Sequence, residues 1–550
     1  MSKSFRPLDF QRQLDVDKII QPCPPETDDT VPMDVVFVGG GPAGLSGAIE
    51  LARLIKNDNE NGGDLGDIEI AVLEKAENLG GHNLSGAVVN PKSFIELFPD
   101  IDIKDFPFKN KVTQEDVYLL NENSKIKLPT PPTMQNHGNY TASICEIVRW
   151  LGEKAEEKGI NLLTSFPVDT LLHENGHIMG VKTTPAGLNR QGELTDQSLP
   201  PTDVRAHITV LSEGTRGLLT QAYQKWAKVE APSPQIYALG VKELWKVKKP
   251  VSGIIHTLGW PLPQSAFGGS WLYPMGENTV SFGLVAGLDY KEHNLDVHVL
   301  LQQLKNHPLF KNILEDGELL EWGAKTIPEG GFYSIPQSLV GNGVLICGDS
   351  AGLVNVPALK GIHYAMYSGI LAARTIFKAL KEKSYRKEDL ISYDQAVRES
   401  FIYSDLKQVR NMRQAFKSGF YWGGFKAGMM TLTKGAFPGS QIKIEEDAAE
   451  SKTVEDSDIK NTGLSKVDGV YQSGNKTRDD IPSHLTAKEQ LTEDVVDFYT
   501  HLCPAGVYEK DENGQLVINA PNCIDCKATD VLGPRWQPRE GGSGPNYSGM

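Results

Sequence analysis

The stretch from Met33 to Glu74 constrains this chain more than any other. Val35, Val36, Phe37 and Val38 form a short apolar run that suits a buried strand and stops at glycine. Gly39-Gly40-Gly41-Pro42-Ala43-Gly44 follows as a G-x-G-x-x-G match, and Leu45, Ala48, Ile49 and Leu51 then recur at helical spacing. Ile68 to Leu73 reads as a second strand ending in Glu74. Strand, glycine turn, helix, strand and acid in this order predict a dinucleotide-binding βαβ unit. Gly39 serves the tight turn, Gly41 lets the backbone approach a pyrophosphate, and Gly44 lets helix and strand pack closely. The helix N-terminus offers free N–H groups to the phosphates, and Glu74 is placed to accept from a ribose hydroxyl. The glycines alone fit a plain structural turn equally well, but both strands and the acid favour the dinucleotide. The polar insertion Asn57–Asp67 reads as a surface loop that sets Glu74 further along than the usual ~20 residues.

A chain of 550 residues has room for two or three domains. Its 39% hydrophobic and 23% charged residues describe a soluble globular protein, and a net charge of −15 argues against a nucleic-acid partner. No apolar run reaches the ~18 residues of a membrane span, and Met1 to Asp15 has neither a signal core nor the pattern of a transit peptide. The six cysteines suggest no disulfide framework; Cys503, Cys523 and Cys526 crowd the C-terminus, which points to metal.

Two later segments repeat a strand that ends in glycine. His207–Leu211 runs into Ser212-Glu213-Gly214, and Gly343–Ile346 into Cys347-Gly348-Asp349-Ser350-Ala351-Gly352, ahead of a helix-like stretch Gly361–Leu380. Three such turns in this order resemble flavoproteins of the hydroxylase and reductase class. That likeness implies FAD, with Asp349 on the ribityl chain and the helix after Gly361 aimed at the flavin ring; a helix N-cap is the plain alternative for Asp349. No second G-x-G-x-x-G occurs, so a separate nicotinamide domain is not expected. His82, in the loop Gly80–Gly86, is either a catalytic base or the commoner hydrogen-bonded loop histidine.

Leu406–Ile444 carries seven basic residues and no acid, interleaved with Phe416, Phe420, Tyr421, Trp422, Phe425, Met429 and Met430. This pattern fits a helix lying in a membrane surface as well as a core helix with a basic outer face. Glu445–Asp458 holds seven acids, and the polar composition that continues to about Asn475 predicts a linker. Near the end, Cys503-Pro504, a hairpin turn at Asn513-Gly514 and Cys523-Ile524-Asp525-Cys526 suggest ferredoxin-like iron–sulfur ligation, with zinc as the rival.

Together these residues resemble the electron transfer flavoprotein–ubiquinone oxidoreductase family over nearly the whole chain, from Asp34 to Gly541–Tyr547. The most specific pieces are His82–Gly86 continuing into Phe94–Pro99, Gly259-Trp260-Pro261-Leu262 with Phe267-Gly268-Gly269-Ser270, and Glu329-Gly330-Gly331-Phe332. Asn355-Val356-Pro357, Lys360-Gly361 with His363, and Cys503–Tyr508 complete the set. The resemblance implies an α/β fold: an FAD-binding Rossmann-like βαβ domain interleaved with an α+β quinone-binding domain, then a small ferredoxin-like domain. The expected division is a lead-in at 1–32, the interleaved pair at 33–405 with quinone parts mainly at 90–200 and 235–335, a membrane-surface segment at 406–444, a linker at 445–480 and the iron–sulfur domain at 481–550.

On this basis the chain is expected to be an enzyme on a membrane surface that takes electrons from reduced electron transfer flavoprotein and passes them through FAD and a [4Fe-4S] cluster to ubiquinone. Gly39, Gly41, Gly44, Glu74, Asp349 and Gly361 would hold FAD, and the amides of Gly268 and Gly269 would bond a quinone oxygen. Phe94–Pro99 and Phe416–Met430 would form the apolar plateau, placed on the inner (cytoplasmic) membrane of a bacterium. Two positions depart from the family. Cys503, Cys523 and Cys526 would be cluster ligands, but Thr529 occupies the place of the fourth, and a hydroxyl is a poor iron ligand. Ile362 stands where a threonine is expected beside the flavin, which removes a hydrogen bond that could tune it. A related reductase of geranylgeranyl or hydroxylase type, or a degenerate flavin-binding subunit without the cluster, are the alternatives.

Overall fold

The computed structural model describes residues 3–454 and 461–550, and of Phe420 the backbone only. The expected βαβ unit forms the centre of its first sheet. Val31–Val38 lies parallel to Ile70–Glu74 on one side and to Asp203–Leu211 on the other, and Asn161–Thr164 extends the parallel set. Val168–Glu174 and His177–Thr183 add an antiparallel flank, and Val344–Ile346 pairs with the end of Asp203–Leu211. Val35, Val36 and Phe37 are fully buried, as a parallel strand covered on both faces requires. The covering helices Pro42–Glu60 and Ile362–Glu382 touch backbone to backbone: a Cβ on Gly369 would lie 2.1 Å from the Ala43 carbonyl oxygen. This close crossing brings both helix N-termini to one end of the sheet.

The second sheet runs in the order Glu318–Pro328, Tyr237–Lys246, Thr279–Gly287, Gly268–Pro274, Ile254–Gly259, Glu115–Leu120, Lys125–Leu128. Only 115–128 of the expected quinone segment 90–200 belongs to it; the strands between 161 and 183 extend the first sheet instead. The antiparallel pairing of Val168–Glu174 with its neighbour continues the first core outward, so this part of the chain has no separate body.

The C-terminal unit holds the hairpin Tyr508–Lys510 with Leu516–Ile518, and Leu485–Thr486 paired with Arg535–Trp536. It shares one core with the second sheet: Phe498, Tyr499, Cys503 and Cys526 pack with Leu239, Phe282 and Trp322. The lead-in is built in as well, because Ser4–Phe5 pairs with Lys452–Thr453 and Ile20–Pro22 pairs with 171–173. The expected linker is likewise folded where it is described. Asp447 is buried and accepts the Tyr237 N–H at 2.7 Å, and Lys452 donates to the Leu288 carbonyl at 2.8 Å. Glu455, Asp456 and Asp458 of its acidic run lie outside the described residues.

Candidate functional site

A cavity of about 1120 Å³ runs between the two sheets, from the glycine turn to the helix Phe420–Leu432. The three motif glycines divide their work. A Cβ on Gly39 would lie 2.3 Å from the Ser212 carbonyl oxygen, and one on Gly44 would lie 2.2 Å from that of Gly39, so both are demanded by packing. Gly39 also has φ +109°, which a side chain resists. Gly41 differs: the nearest atom to its added Cβ is Asn83 Nδ2 at 3.8 Å, and it lines the cavity. The helix it caps has no side-chain cap, and neither does the helix that begins after Gly361, so both N-termini face the cavity with open N–H groups.

Glu74 lines the cavity while its carboxylate accepts from Gly40 N at 2.9 Å and Ala76 N at 2.8 Å. It therefore fixes the glycine turn, and the remaining lone pairs stay available. Asp349 sits inside a short 3₁₀ turn whose cap is Cys347, which sets the plain capping role aside. Burial pushes its carboxyl up to about 6, against the pull of Lys325. Lys325 is a buried lysine on the facing strand, brought down to about 8 by burial. Ile362 lines the cavity as expected. These features fit a bound FAD: open amides at two helix ends, room beside Gly41, and the buried Asp349 carboxyl in the cavity wall.

Gly268 and Gly269 line the same cavity from the second sheet. Their added Cβ atoms would strike strand backbone, Val285 O at 2.0 Å and Thr257 O at 2.5 Å. They are thus needed by the sheet whatever binds in front of it. Gly240 also lines the cavity, and its Cβ would meet nothing closer than 3.5 Å.

At the far end, Tyr421, Phe425, Met429 and Leu432 line the mouth. Tyr421, Trp422 and Phe425 are 69%, 58% and 59% exposed, and Trp422 stacks on Phe425 at 5.3 Å. The other expected half of the plateau is inside. Phe94, Leu97 and Phe98 are buried, with Phe94 and Phe98 edge-on to Phe106, Phe108 and Trp150; of this run Ile95 is exposed. Of the basic island, Arg413 is buried on Asp289 at 2.8 Å and Glu329 at 2.6 Å, and Lys417 is paired with Glu450. No helix among the described residues is long and apolar enough to cross a membrane.

Cys503, Cys523 and Cys526 are buried free thiols near enough that charge on Cys503 acts on Cys523 and charge on both acts on Cys526. Backbone N–H groups aim at them, Ala505 N at Cys503 Sγ and Asp525 N at Cys523 Sγ, each at 3.4 Å. Burial pushes all three thiols up, Cys523 to about 12, so a metal must displace their protons. Tyr508 lies beside all three, and its hydroxyl is 3.2 Å from Thr529 Oγ1. The thiols fit three corners of a cluster, and Thr529, at the fourth cysteine's position in the sequence, is hydrogen-bonded to Tyr508. The Cys526 carbonyl accepts from the amide of Thr326, a cavity-lining residue, which links this loop to the cavity wall at 2.9 Å.

Here the sequence singled out His82 but neither its partner Asp525 nor the neighbouring His484. His82 lines the cavity, and its Nδ1 makes no hydrogen bond but lies 3.7 Å from Asp525, which in turn pairs with Lys75 and Arg539. His484 joins Cys523 and Asp525, with ligand atoms within 4.8 Å of one another. Their signal, a charged residue in a stretch otherwise fit for burial, names no partner.

Comparison with known proteins adds the following. The profile described as "ETF-QO, ubiquinone-binding" matches residues 237–327, and "Electron transfer flavoprotein-ubiquinone oxidoreductase, 4Fe-4S" matches 461–548. A mitochondrial electron transfer flavoprotein-ubiquinone oxidoreductase of Dictyostelium discoideum is 37% identical, over 96% of this chain and 92% of its own length. The Homo sapiens protein of the same name is 35% identical, over 94% and 89%. Among solved structures, a geranylgeranyl bacteriochlorophyll reductase-like protein of Thermoplasma acidophilum aligns with TM-score 0.57 and 18% identity, over 74% of this chain and 96% of that one. The flavin-dependent brominase Bmp2 aligns with TM-score 0.52 and 16% identity, over 73% and 90%, a likeness of fold alone.

Proposed function

Because this chain belongs to the electron transfer flavoprotein–ubiquinone oxidoreductase family, we infer that it takes electrons from reduced electron transfer flavoprotein and delivers them to ubiquinone. The cofactors are FAD and an iron–sulfur cluster of the 4Fe-4S kind. FAD, when bound, couples a one-electron donor to a two-electron acceptor.

The observation that carries the reading is the single cavity that joins Gly41, Asp349 and Gly361 to an apolar mouth at Phe425, Met429 and Leu432. Gly41 and the two open helix ends would hold the pyrophosphate and the ring, Glu74 the ribose, and Asp349 the ribityl hydroxyls. Gly39 and Gly44 act through the shape of the turn. Leu258, Gly268, Gly269 and Val285 would flank the quinone, which enters between the exposed aromatics of Phe420–Leu432. That helix has 13 residues, about 20 Å at 1.5 Å per residue, so it would lie in one leaflet. We place the protein monotopically on such a surface. The relatives named above are mitochondrial, and the basic, aromatic pattern of 406–444 suits a bacterial or a mitochondrial inner membrane alike.

Cys503, Cys523 and Cys526 would hold the cluster, with Thr529 and Tyr508 at the remaining corner. Anaerobic mixing of purified protein with reduced electron transfer flavoprotein and a short-chain ubiquinone tests the reading. Donor oxidation with matching quinol formation is expected. Donor oxidation without quinol would leave the related-reductase reading in its place.

A further inference from the structure

One wall of the cavity holds a polar corner that electron transfer alone does not use. His256, on Ile254–Gly259, is 3% exposed and lines the cavity. Its Nδ1 meets the Tyr273 hydroxyl at 3.3 Å, and its Nε2 has no partner. Burial raises the Tyr273 pKa, so Tyr273 stays a phenol and can donate to Nδ1. With Tyr273 as the donor, the neutral ring carries its hydrogen on Nε2, a buried atom of a residue in the cavity wall. Lys360, just ahead of the long helix, is buried too; its ammonium donates to Asn136 Oδ1 at 2.6 Å and to the Ala358 carbonyl at 3.2 Å, which leaves one N–H. Asn136 in turn donates to Glu115 from Nδ2 at 2.9 Å and from its backbone at 3.1 Å. Glu115 is half-buried, so the chain of contacts leads outward.

The charges agree with this geometry. Burial brings the Lys360 ammonium down to about 8, with Glu115 pulling the other way. Burial, with the charge of Lys360 added, holds His256 and His363 down at about 3. Glu115 acts on Lys360, and Lys360 acts on His256 and on His363, which Lys92 also reaches; Tyr273 lies near Glu115, and Asp349 near the following Gly361. Among these, Lys360 is the group that can hold a proton at neutral pH and release it near pH 8.

Resting on the reading that a quinone is reduced in this cavity, we propose that Lys360 is its proton donor, with His256 Nε2 holding the receiving oxygen and Glu115, through Asn136, holding the ammonium in place. Reduction makes two carbonyl oxygens into hydroxyls, using two electrons from the established donor and two protons. In each delivery one ammonium N–H breaks and one quinol O–H forms. The Lys360 amine left behind takes up a proton from solvent water that enters the open cavity, and two deliveries complete the quinol. No further reductant is needed.

The test uses purified holoenzyme with reduced electron transfer flavoprotein, and either short-chain ubiquinone or ferricenium, which accepts electrons without protons. Wild-type quinone reduction should fall as pH rises through about 8 and slow in D₂O, while ferricenium reduction should do neither. Lys360→Met should lose roughly tenfold or more in quinone reduction at pH 7 and lose the alkaline limb, with flavin reduction by the donor within twofold of wild type. His256→Gln should raise the quinone KM and keep the limb. Equal loss of ferricenium and quinone activity in Lys360→Met would overturn the proposal, as would a wild type with no D₂O effect on quinone reduction. A wild type that reduces ferricenium but never quinone would instead overturn the underlying function.

Discussion

Lys75 and Asp525, 450 positions apart, share an ion pair that ties the acid end of the first βαβ unit to the loop between Cys523 and Cys526. Asp525 also pairs with Arg539 at 3.2 Å and accepts the Trp536 indole N–H at 2.9 Å, and its carbonyl accepts from Lys325. One buried carboxylate thus locks the cysteine loop against the cavity wall. Asp525→Asn leaves Lys75 and Arg539 without their counter-charge and should cost about 3–5 kcal/mol, the usual effect of removing one partner of a buried pair. Urea unfolding measures it, and an unchanged midpoint would refute the lock.

Gly41→Val should leave folded protein that lacks flavin. Its backbone, φ −86° and ψ −175°, is one valine adopts freely, and the added carbons enter open cavity. Circular dichroism like wild type together with stoichiometric flavin absorbance would contradict the phosphate placement.

Valine at Gly269 should damage both half-reactions, because it overpacks the sheet against Thr257 by about 1–3 kcal/mol or more. Gly240→Val meets no such clash and should narrow the cavity, lowering quinone reduction at a normal melting temperature. A Gly269 variant as stable as wild type would reverse this ordering.

Trp422→Ser and Phe425→Ser should each weaken liposome binding by about 2 kcal/mol, roughly thirtyfold, and high salt should release wild-type protein only in part. Phe98→Ser should lower stability instead, since that ring is already buried against Trp150. Complete release of wild type by salt would show a purely electrostatic contact.

Arg413 holds two buried carboxylates. It keeps Asp289 below its ordinary pKa, whereas burial raises Glu329. The depressed Asp289 contributes stability above about pH 4 that is lost as pH falls through its folded value; the raised Glu329 costs stability at neutral pH that acid relieves. In Arg413→Met both carboxylates lack a partner, so the variant should be weaker at pH 7 and regain stability at pH 5. Urea midpoints that do not rise on going to pH 5 would refute this.

Three thiolates and a hydroxyl should hold a cluster with one labile iron. Anaerobic protein should contain iron and acid-labile sulfide, air should raise the electron paramagnetic resonance signal of a three-iron form, and Thr529→Cys should resist air. Absence of both iron and sulfide from anaerobic protein would leave flavin as the sole redox centre.

The sequence by itself determined the features whose cause is local. Val35–Val38, the turn at Gly39–Gly44 and its helix, the hairpin at Asn513-Gly514 and the helix after Gly361 follow from side-chain period and glycine placement, so they are legible in a dozen residues. Tertiary structure decided what two similar stretches become. Phe94–Phe98 and Tyr421–Phe425 read alike as aromatic runs, yet the first is buried because the fold brings Phe106, Phe108 and Trp150 to it, while Tyr421, Trp422 and Phe425 stay exposed at the cavity mouth. Arg413 belongs to a basic island in sequence and to a buried ion pair in space, since Asp289 and Glu329 arrive from the second sheet. Lys75 with Asp525, and Lys360 with Asn136, are pairs of the same kind. Such contacts join residues 84 to 450 positions apart, and no local periodicity encodes them; they exist only once both sheets have closed on the cavity.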